Sequence, residues 1–285
     1  MARQVIGVLG GSGLYEIEDL VDIREVEVET PFGRPSDAYI TGELEGRTLI
    51  FLPRHGRGHR ISPSEVNYRA NILGFKQLGA QWLISISAVG SMRPEIEPGH
   101  VVIIDQLFDR TKSRPCTFFG DGIVGHIEFA DPMCGDLSSV LVKAAREEGA
   151  TVHEGGTYVC IEGPQFSTRA ESRIYRSWGV DVIGMTNIPE AKLAREAGLC
   201  YATVALPTDY DCWHESEEDV TVEAIIRQLQ QNVTLARRII RGATLRIPIE
   251  RSCRCASAVR HAVITSPDAV DPETRERLRL ILGQE

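Results

Sequence analysis

The sequence predicts an α/β fold, a single domain with a central, mostly parallel, twisted sheet flanked by helices. Strand-length apolar runs recur along the chain: Val5-Ile6-Gly7-Val8-Leu9, Leu49-Ile50-Phe51-Leu52, Trp82-Leu83-Ile84, Val101-Val102-Ile103-Ile104 and Tyr201-Ala202-Thr203-Val204-Ala205-Leu206. They are continuous rather than alternating, which marks strands buried on both faces. Segments of helical period separate several of them, and alternation of this kind builds a parallel sheet. The ends of the runs turn polar, with Ser, Arg, His, Thr or Asp. In an open α/β sheet those ends gather along one edge, where ligands bind.

A chain of 285 residues can bury about three quarters of its unfolded surface, enough for one large domain. We expect a main domain over 1–246 and a C-terminal extension over 247–285 packed on it. The apolar and charged fractions, 42% and 25%, are ordinary for a globular protein. No apolar run approaches the roughly 20 residues of a membrane span, and the N-terminus has no signal-peptide pattern, so a cytoplasmic protein without membrane contact is expected. The net charge of −9 argues against nucleic-acid binding, which needs clustered Lys and Arg. An anionic ligand must then be held by a local cluster.

The first run ends in Gly10-Gly11-Ser12-Gly13-Leu14, where Ser12 and neighbouring amides can meet a phosphate. A dinucleotide fingerprint would place glycine where Glu16 stands, which disfavours a dehydrogenase. The second ends in Pro53-Arg54-His55-Gly56-Arg57-Gly58-His59-Arg60, the most basic stretch of an acidic chain, where an Arg fork and a His can hold an oxyanion. Ser62-Pro63-Ser64-Glu65 reads as a helix start continuing to Leu78. The run from Trp82 finishes in Ser85, Ser87, Ala88 and Gly90.

His126 lies in a loop-like segment, and Leu137 to Glu148 has helical period. Thr168 to Glu171 reads as a capping box, with Phe166 just outside it and able to stack on a flat ring. Val180 to Met185 is a strand with the polar tip Thr186-Asn187, and Pro189 opens the next helix. The last apolar strand delivers Asp209 and Asp211. Carboxyls that close cannot both ionise cheaply, so a neutral acid becomes available near pH 7. Val222 to about Arg241 is an amphipathic helix, and the Arg-rich remainder is weakly patterned. The seven cysteines are scattered as in a reducing compartment. Cys253-Arg254-Cys255 stands out, but the pair is too short for a zinc site without a second pair, so no metal is expected.

These segments, together with Thr30-Pro31-Phe32-Gly33-Arg34-Pro35-Ser36-Asp37, Asn67-Tyr68-Arg69-Ala70-Asn71-Ile72, Glu162-Gly163-Pro164-Gln165-Phe166-Ser167 and Thr208-Asp209-Tyr210-Asp211-Cys212-Trp213, resemble the trimeric purine nucleoside phosphorylases, in the branch that acts on 5′-methylthioadenosine. The resemblance runs to about Arg241, and the tail beyond Ile247 departs from the animal members. It implies phosphorolysis to adenine and 5-methylthioribose 1-phosphate, with inorganic phosphate as co-substrate and no cofactor. It implies phosphate binding by Ser12, Arg54, His55, Ser87, the Ala88 amide and Thr186, with Phe166 and Met185 packed on base and ribose. Asp209 would serve purine N7 as the catalytic acid and Asp211 the amino group. Val222 and Ile225 would line a methylthio pocket, and His126 would reach the pocket of a neighbour in a homotrimer or dimer of trimers.

Elementary chemistry asks for the same parts. Cleaving an N-glycosidic bond leaves the sugar cation-like and the purine anionic, so the site needs an anion beside the sugar and an acid at N7. A phosphorylase for 6-oxopurines such as methylthioinosine or inosine is the nearest rival, but it would favour Asn where Asp209 stands. A catalytically silent nucleotide-binding protein on the same fold is the rival from another class.

Overall fold

A computed structural model describes residues 4–11, 13–214 and 222–283, with the side chains at 222–227 outside the description. Its strands are β1 (Val5–Gly10), β2 (Val21–Val26), β3 (Tyr39–Leu44), β4 (Arg47–Pro53), β5 (Trp82–Ser91), β6 (Val101–Ile103), β7 (Gln106–Arg110), β8 (Val152–Glu154), β9 (Thr157–Ile161), β10 (Val182–Gly184) and β11 (Cys200–Asp209). Its helices are α1 (Tyr68–Gln77), α2 (Gly135–Glu147), α3 (Arg169–Ser177), α4 (Asn187–Glu196), α5 (Val222–Arg246) and α6 (Pro272–Arg277), with short 3-10 turns at 211–213, 254–257 and 267–269.

All the strands join one sheet in the order β2-β3-β4-β1-β5-β10-β9-β7, with β11 also on β5, β6 on β11 and β8 on β6. The centre is parallel: β4, β1, β5 and β11 run the same way. Antiparallel pairs occur at β2-β3, β3-β4, β6-β11 and β5-β10. The mostly parallel, single-domain α/β architecture expected from the sequence is therefore observed. The short or polar strands β2, β3, β7 and β8 carry no strong apolar signal and were not expected.

The central strands send alternate residues to opposite layers. Ile6, Val8, Ile84, Ile86, Val204 and Leu206 pack with Leu137 and Leu141 of α2 and Ile239 and Ile240 of α5. Leu9, Leu83 and Ala205 pack with Ile72 and Phe75 of α1 and Ala191 and Ala194 of α4. Both faces are covered, which is why the runs lack a polar phase. Leu278 and Ile281 from the tail join the second layer, so the tail lies on the same body.

The helix expected from Ser62 starts later. Ser62 does bond the Glu65 carboxylate, but only a turn forms there; α1 begins after Asn67, whose side chain accepts from the Ala70 N–H. Tertiary bonds decide this start, since the Ser64 hydroxyl is drawn to Glu162 and the Tyr68 hydroxyl donates to the Pro63 carbonyl. The Thr168–Glu171 capping box forms as read, with both reciprocal bonds present.

The feature that creates the site is a fork in the sheet. β5 pairs with β1 through Trp82 to Ser85 and with β10 at Gly90 and Ser91. Between them, Ile86 to Val89 keep only β11 as a strand neighbour among the described residues. Ala88, inside an otherwise buried strand, is exposed at this gap.

Candidate active site

Arg54 follows β4 and enters the fork, where its side chain is buried (3% exposed). Its Nη1 donates to the Ile86 carbonyl at 3.1 Å and its Nη2 to the Leu9 carbonyl at 3.3 Å, serving backbone oxygens of the parting strands. A buried carbonyl left unpaired would cost about 1–3 kcal/mol, so the guanidinium holds the fork open at little cost. The rest of its fork meets Glu190 of α4: Nε donates to one carboxylate oxygen, and Nη2 to the other at 3.1 Å. Ser85 Oγ accepts from Nη2 at 2.9 Å and donates to Glu190 at 3.2 Å, and the Tyr201 hydroxyl donates to Glu190 at 3.0 Å. Burial alone would lower the Arg54 pKa; the Glu190 carboxylate more than offsets this and raises it.

The Arg fork expected to grip an oxyanion is thus turned largely inward, because a fully buried carboxylate demands a bidentate partner. Glu190, with no sequence motif of its own, is the residue that sequence reasoning missed here. One Nη1 hydrogen of Arg54 has no partner among the described residues.

Three hydroxyls line the same gap. Ser87 Oγ lies 3.2 Å from both Thr186 Oγ1 and the Tyr158 hydroxyl. The Ile84-Ser85-Ile86-Ser87 alternation places both serines on the α4 side, opposite the apolar face packed on α2 and α5. Burial pushes the Tyr158 phenol up to about 12, so it stays a neutral donor. His55 Nδ1 lies 2.8 Å from the Ile61 carbonyl, which fixes the tautomer with the proton on Nδ1 and leaves Nε2 as an acceptor. Burial first, and the Arg54 charge second, lower its pKa to about 4.

The carboxylate pair sits beyond the other end of the gap, at the tip of β11. Asp209 Oδ1 accepts from the Asp211 backbone N–H at 2.8 Å, and Oδ2 accepts from Thr208 Oγ1 at 2.7 Å. Asp211 takes a left-handed φ of 51°. Its pKa is raised, by burial first, with the neighbouring Asp209 adding to the effect. In the free chain Asp211 is the carboxyl driven upward.

Two further residues hold this corner. A Cβ at Gly90 would lie 3.1 Å from Asp209 Oδ1 and 3.3 Å from Asp211 Cβ, so a larger residue there would press on the carboxylate pair. Trp213 donates its indole N–H to the Ser91 carbonyl at 2.7 Å and lies under the Arg176 guanidinium at 3.5 Å. Phe166 is 80% exposed beside the capping box of α3. Met185 is partly buried, its carbonyl accepting from Arg114 at 2.6 Å. The buried Arg114 also donates to the Ile188 and Glu162 carbonyls, which ties the Glu162 loop to the Thr186 turn.

His126 is exposed, its backbone N–H donating to the Ala262 carbonyl at 2.8 Å. Ser12 and the side chains of Val222 and Ile225 lie outside the described residues. Among the described residues no helix is long and apolar enough to cross a membrane.

A parallel sheet that forks around a buried Arg–Glu pair, with hydroxyls in the gap and two carboxyls beyond it, defines a protein of the nucleoside phosphorylase class. The phosphorylase superfamily profile matches residues 5–244, and the chain belongs to that superfamily. It is 66% identical to an S-methyl-5′-thioadenosine phosphorylase of Geobacter sulfurreducens, over 99% of each chain. It is 56% identical to one from Koribacter versatilis, over 98% of this chain and 96% of the other. Among solved structures, a methylthioadenosine phosphorylase from an antarctic soil metagenomic library superposes with a TM-score of 0.95 at 47% identity, over 99% of this chain and 100% of that one. A Schistosoma mansoni methylthioadenosine phosphorylase in complex with adenine superposes with a TM-score of 0.86 at 36% identity, over 93% and 100%.

Proposed function

We propose that the chain catalyses phosphorolysis of 5′-methylthioadenosine, giving adenine and 5-methylthioribose 1-phosphate, a pentosyl transfer that salvages both halves of the nucleoside. The observation that carries this reading is the placement of an anion site and an acid site on one strand: Ile86 to Ala88 line the gap, and Gly90 backs the carboxylate pair. The high identity to methylthioadenosine phosphorylases over nearly the whole chain supports it.

In this reading phosphate lies in the gap, against Ser87, Thr186, the Ala88 amide, Ser12 and the second Nη1 hydrogen of Arg54. His55, neutral at pH 7, accepts a hydrogen bond from the phosphate hydroxyl at Nε2, which orients the anion with its unprotonated oxygens toward the sugar. The phosphate charge offsets the cation-like sugar as the bond to the base lengthens, and one phosphate oxygen then bonds C1′. The electron pair of the broken bond leaves with the base. Asp209 delivers a proton to N7, while Asp211 meets the exocyclic amino group. Phe166 and Met185 cover base and ribose, and Val222 and Ile225 receive the methylthio group. No cofactor takes part.

We further propose that the active unit is a homotrimer, single or stacked in pairs, in which the exposed His126 completes a neighbour's pocket. The odd, scattered cysteine count favours the cytoplasm, and the partners are a small nucleoside and phosphate. The main domain is taken as 1–246, with 247–285 as an extension upon it.

The deciding experiment follows adenine release from methylthioadenosine with and without phosphate, beside methylthioinosine, inosine and adenosine. Phosphate-dependent release, strongest on methylthioadenosine, is expected. Equal turnover in phosphate-free buffer sinks the reading in favour of a hydrolase, and a preference for methylthioinosine moves it to the 6-oxopurine class.

A further inference from the structure

The sequence offers Cys253-Arg254-Cys255 no nearby second pair; the fold supplies one from far away. Cys134 stands at the N-terminal cap of α2 and Cys200 opens β11. Cys253 caps the 3-10 turn at 254–257 and Cys255 lies within it. The Sγ atoms of Cys134, Cys200, Cys253 and Cys255 all lie within 4.8 Å of one another. Cys134, Cys200 and Cys255 are buried and Cys253 is partly so. We propose that these thiols form a closed tetrathiolate site for one zinc ion, which fastens the C-terminal tail to the phosphorylase body.

The geometry suits that ion. With Zn–S near 2.3 Å, a tetrahedron places its sulfurs about 3.8 Å apart. The Cys200–Cys253 separation of 3.2 Å and the outer limit of 4.8 Å bracket that value, so small side-chain rotations suffice. A disulfide would instead need about 2.05 Å, and all seven cysteines are free thiols. An all-sulfur donor set selects a soft or borderline cation over magnesium or calcium, and with no open position the site is structural rather than catalytic. Four thiolates around a divalent ion leave a net negative charge. Arg251, anchored by donation to the Gly198 carbonyl at 2.8 Å, and Arg254 within the C-x-C pair sit close in the chain to offset it.

The ligands also join two parts of the chain that are far apart in sequence. Two come from the sheet body and two from the tail, and the Ser252 hydroxyl donates to Asp136 at 2.7 Å, which sets the tail in register over α2. The tail in turn accepts from the His126 N–H through Ala262 and bridges Gly125 through Val263. Loss of the ion should therefore loosen 247–283 before it loosens the sheet.

The test is metal and thiol counting on the intact chain purified under reducing conditions. Mass spectrometry of the metal content should find about one zinc per chain, with all seven thiols recovered after denaturation. Cobalt(II) exchanged into the site should give the intense visible bands of a tetrahedral tetrathiolate. Cys253→Ser, at the most exposed ligand, should fold yet lose zinc on dialysis against a chelator, and its tail should become sensitive to protease while the body resists. Cys116→Ser should retain the ion. Seven thiols with no zinc and no cobalt bands would overturn the proposal. So would recovery of only three thiols without reductant, which would mean that the cluster is a pair of disulfides.

Discussion

The fork around Arg54 and the corner around Asp209 lie on one strand and are built on opposite plans. At the fork, charges are buried, paired and bonded on nearly every side: Arg54 and Glu190 are 3% and 0% exposed. At the corner, Asp209 and Asp211 are only partly buried, and Phe166 nearby is largely bare. A phosphate site has to be rigid before its ligand arrives, because its donors must not reorganise as charge moves. A base site has to admit a flat nucleoside and then close on it. The fork therefore shares its residues with the core, and damage there is damage to folding, whereas the corner can be altered with the fold intact.

The largest expected effect tests that contrast at the fork. Glu190→Ala leaves the Arg54 guanidinium buried without its counter-charge, which costs roughly 3–5 kcal/mol, so the urea unfolding midpoint should fall strongly. Replacing both partners with apolar residues, as in Arg54→Met with Glu190→Leu, removes the unpaired charge but strips the donor from the Ile86 and Leu9 carbonyls, so it should return only part of that stability and none of the phosphate-dependent turnover. If the single variant unfolds like the parent, the fork is not a folding element.

At the corner the expectation reverses. Asp209→Asn keeps a donor but cannot give up a proton, so turnover of methylthioadenosine should fall about a hundredfold or more, with the unfolding midpoint nearly unchanged. The ratio of methylthioinosine to methylthioadenosine turnover should rise, since Asn suits a 6-oxo group. An unchanged ratio would show that the base is read elsewhere.

His55 sharpens the comparison through pH. Its folded pKa is lowered from 6.5 to about 4, so the folded chain resists charging this ring. The stability that this contributes is complete above pH 6.5 and is lost as pH falls towards 4; it amounts to about 2 kcal/mol after allowance for the exposed part of the ring. His55→Gln should flatten the stability curve across that window. Asp211, with a raised pKa, acts in the other direction: it is most favourable when protonated and its contribution fades as pH rises through its folded pKa.

The smallest effect is expected at Phe166. At 80% exposure its removal should leave stability unaltered, while loss of stacking on the base, about 0.5–1.5 kcal/mol, raises KM by up to roughly tenfold. A Phe166→Ala enzyme with unchanged KM would mean that another group covers the base.

The sequence by itself determined the fold class, because strands buried on both faces must be apolar throughout and strands of this kind need helical crossovers. It also marked Asp209, Asp211, Arg54 and Ser87, since polar residues at the ends of such strands have to converge on one edge. The tertiary structure alone decided what those residues do to one another. Glu190 sits in an unremarkable helix, and only the packing of α4 against β5 turns it into the partner that occupies Arg54. Nothing local announces that β5 changes neighbours between Ser85 and Gly90, because pairing is a property of two strands and not of one. Cys134 and Cys200 read as ordinary packing residues until the chain brings them against Cys253 and Cys255. Short-range pattern records burial and period; contacts between residues far apart in the chain exist only once the layers have closed.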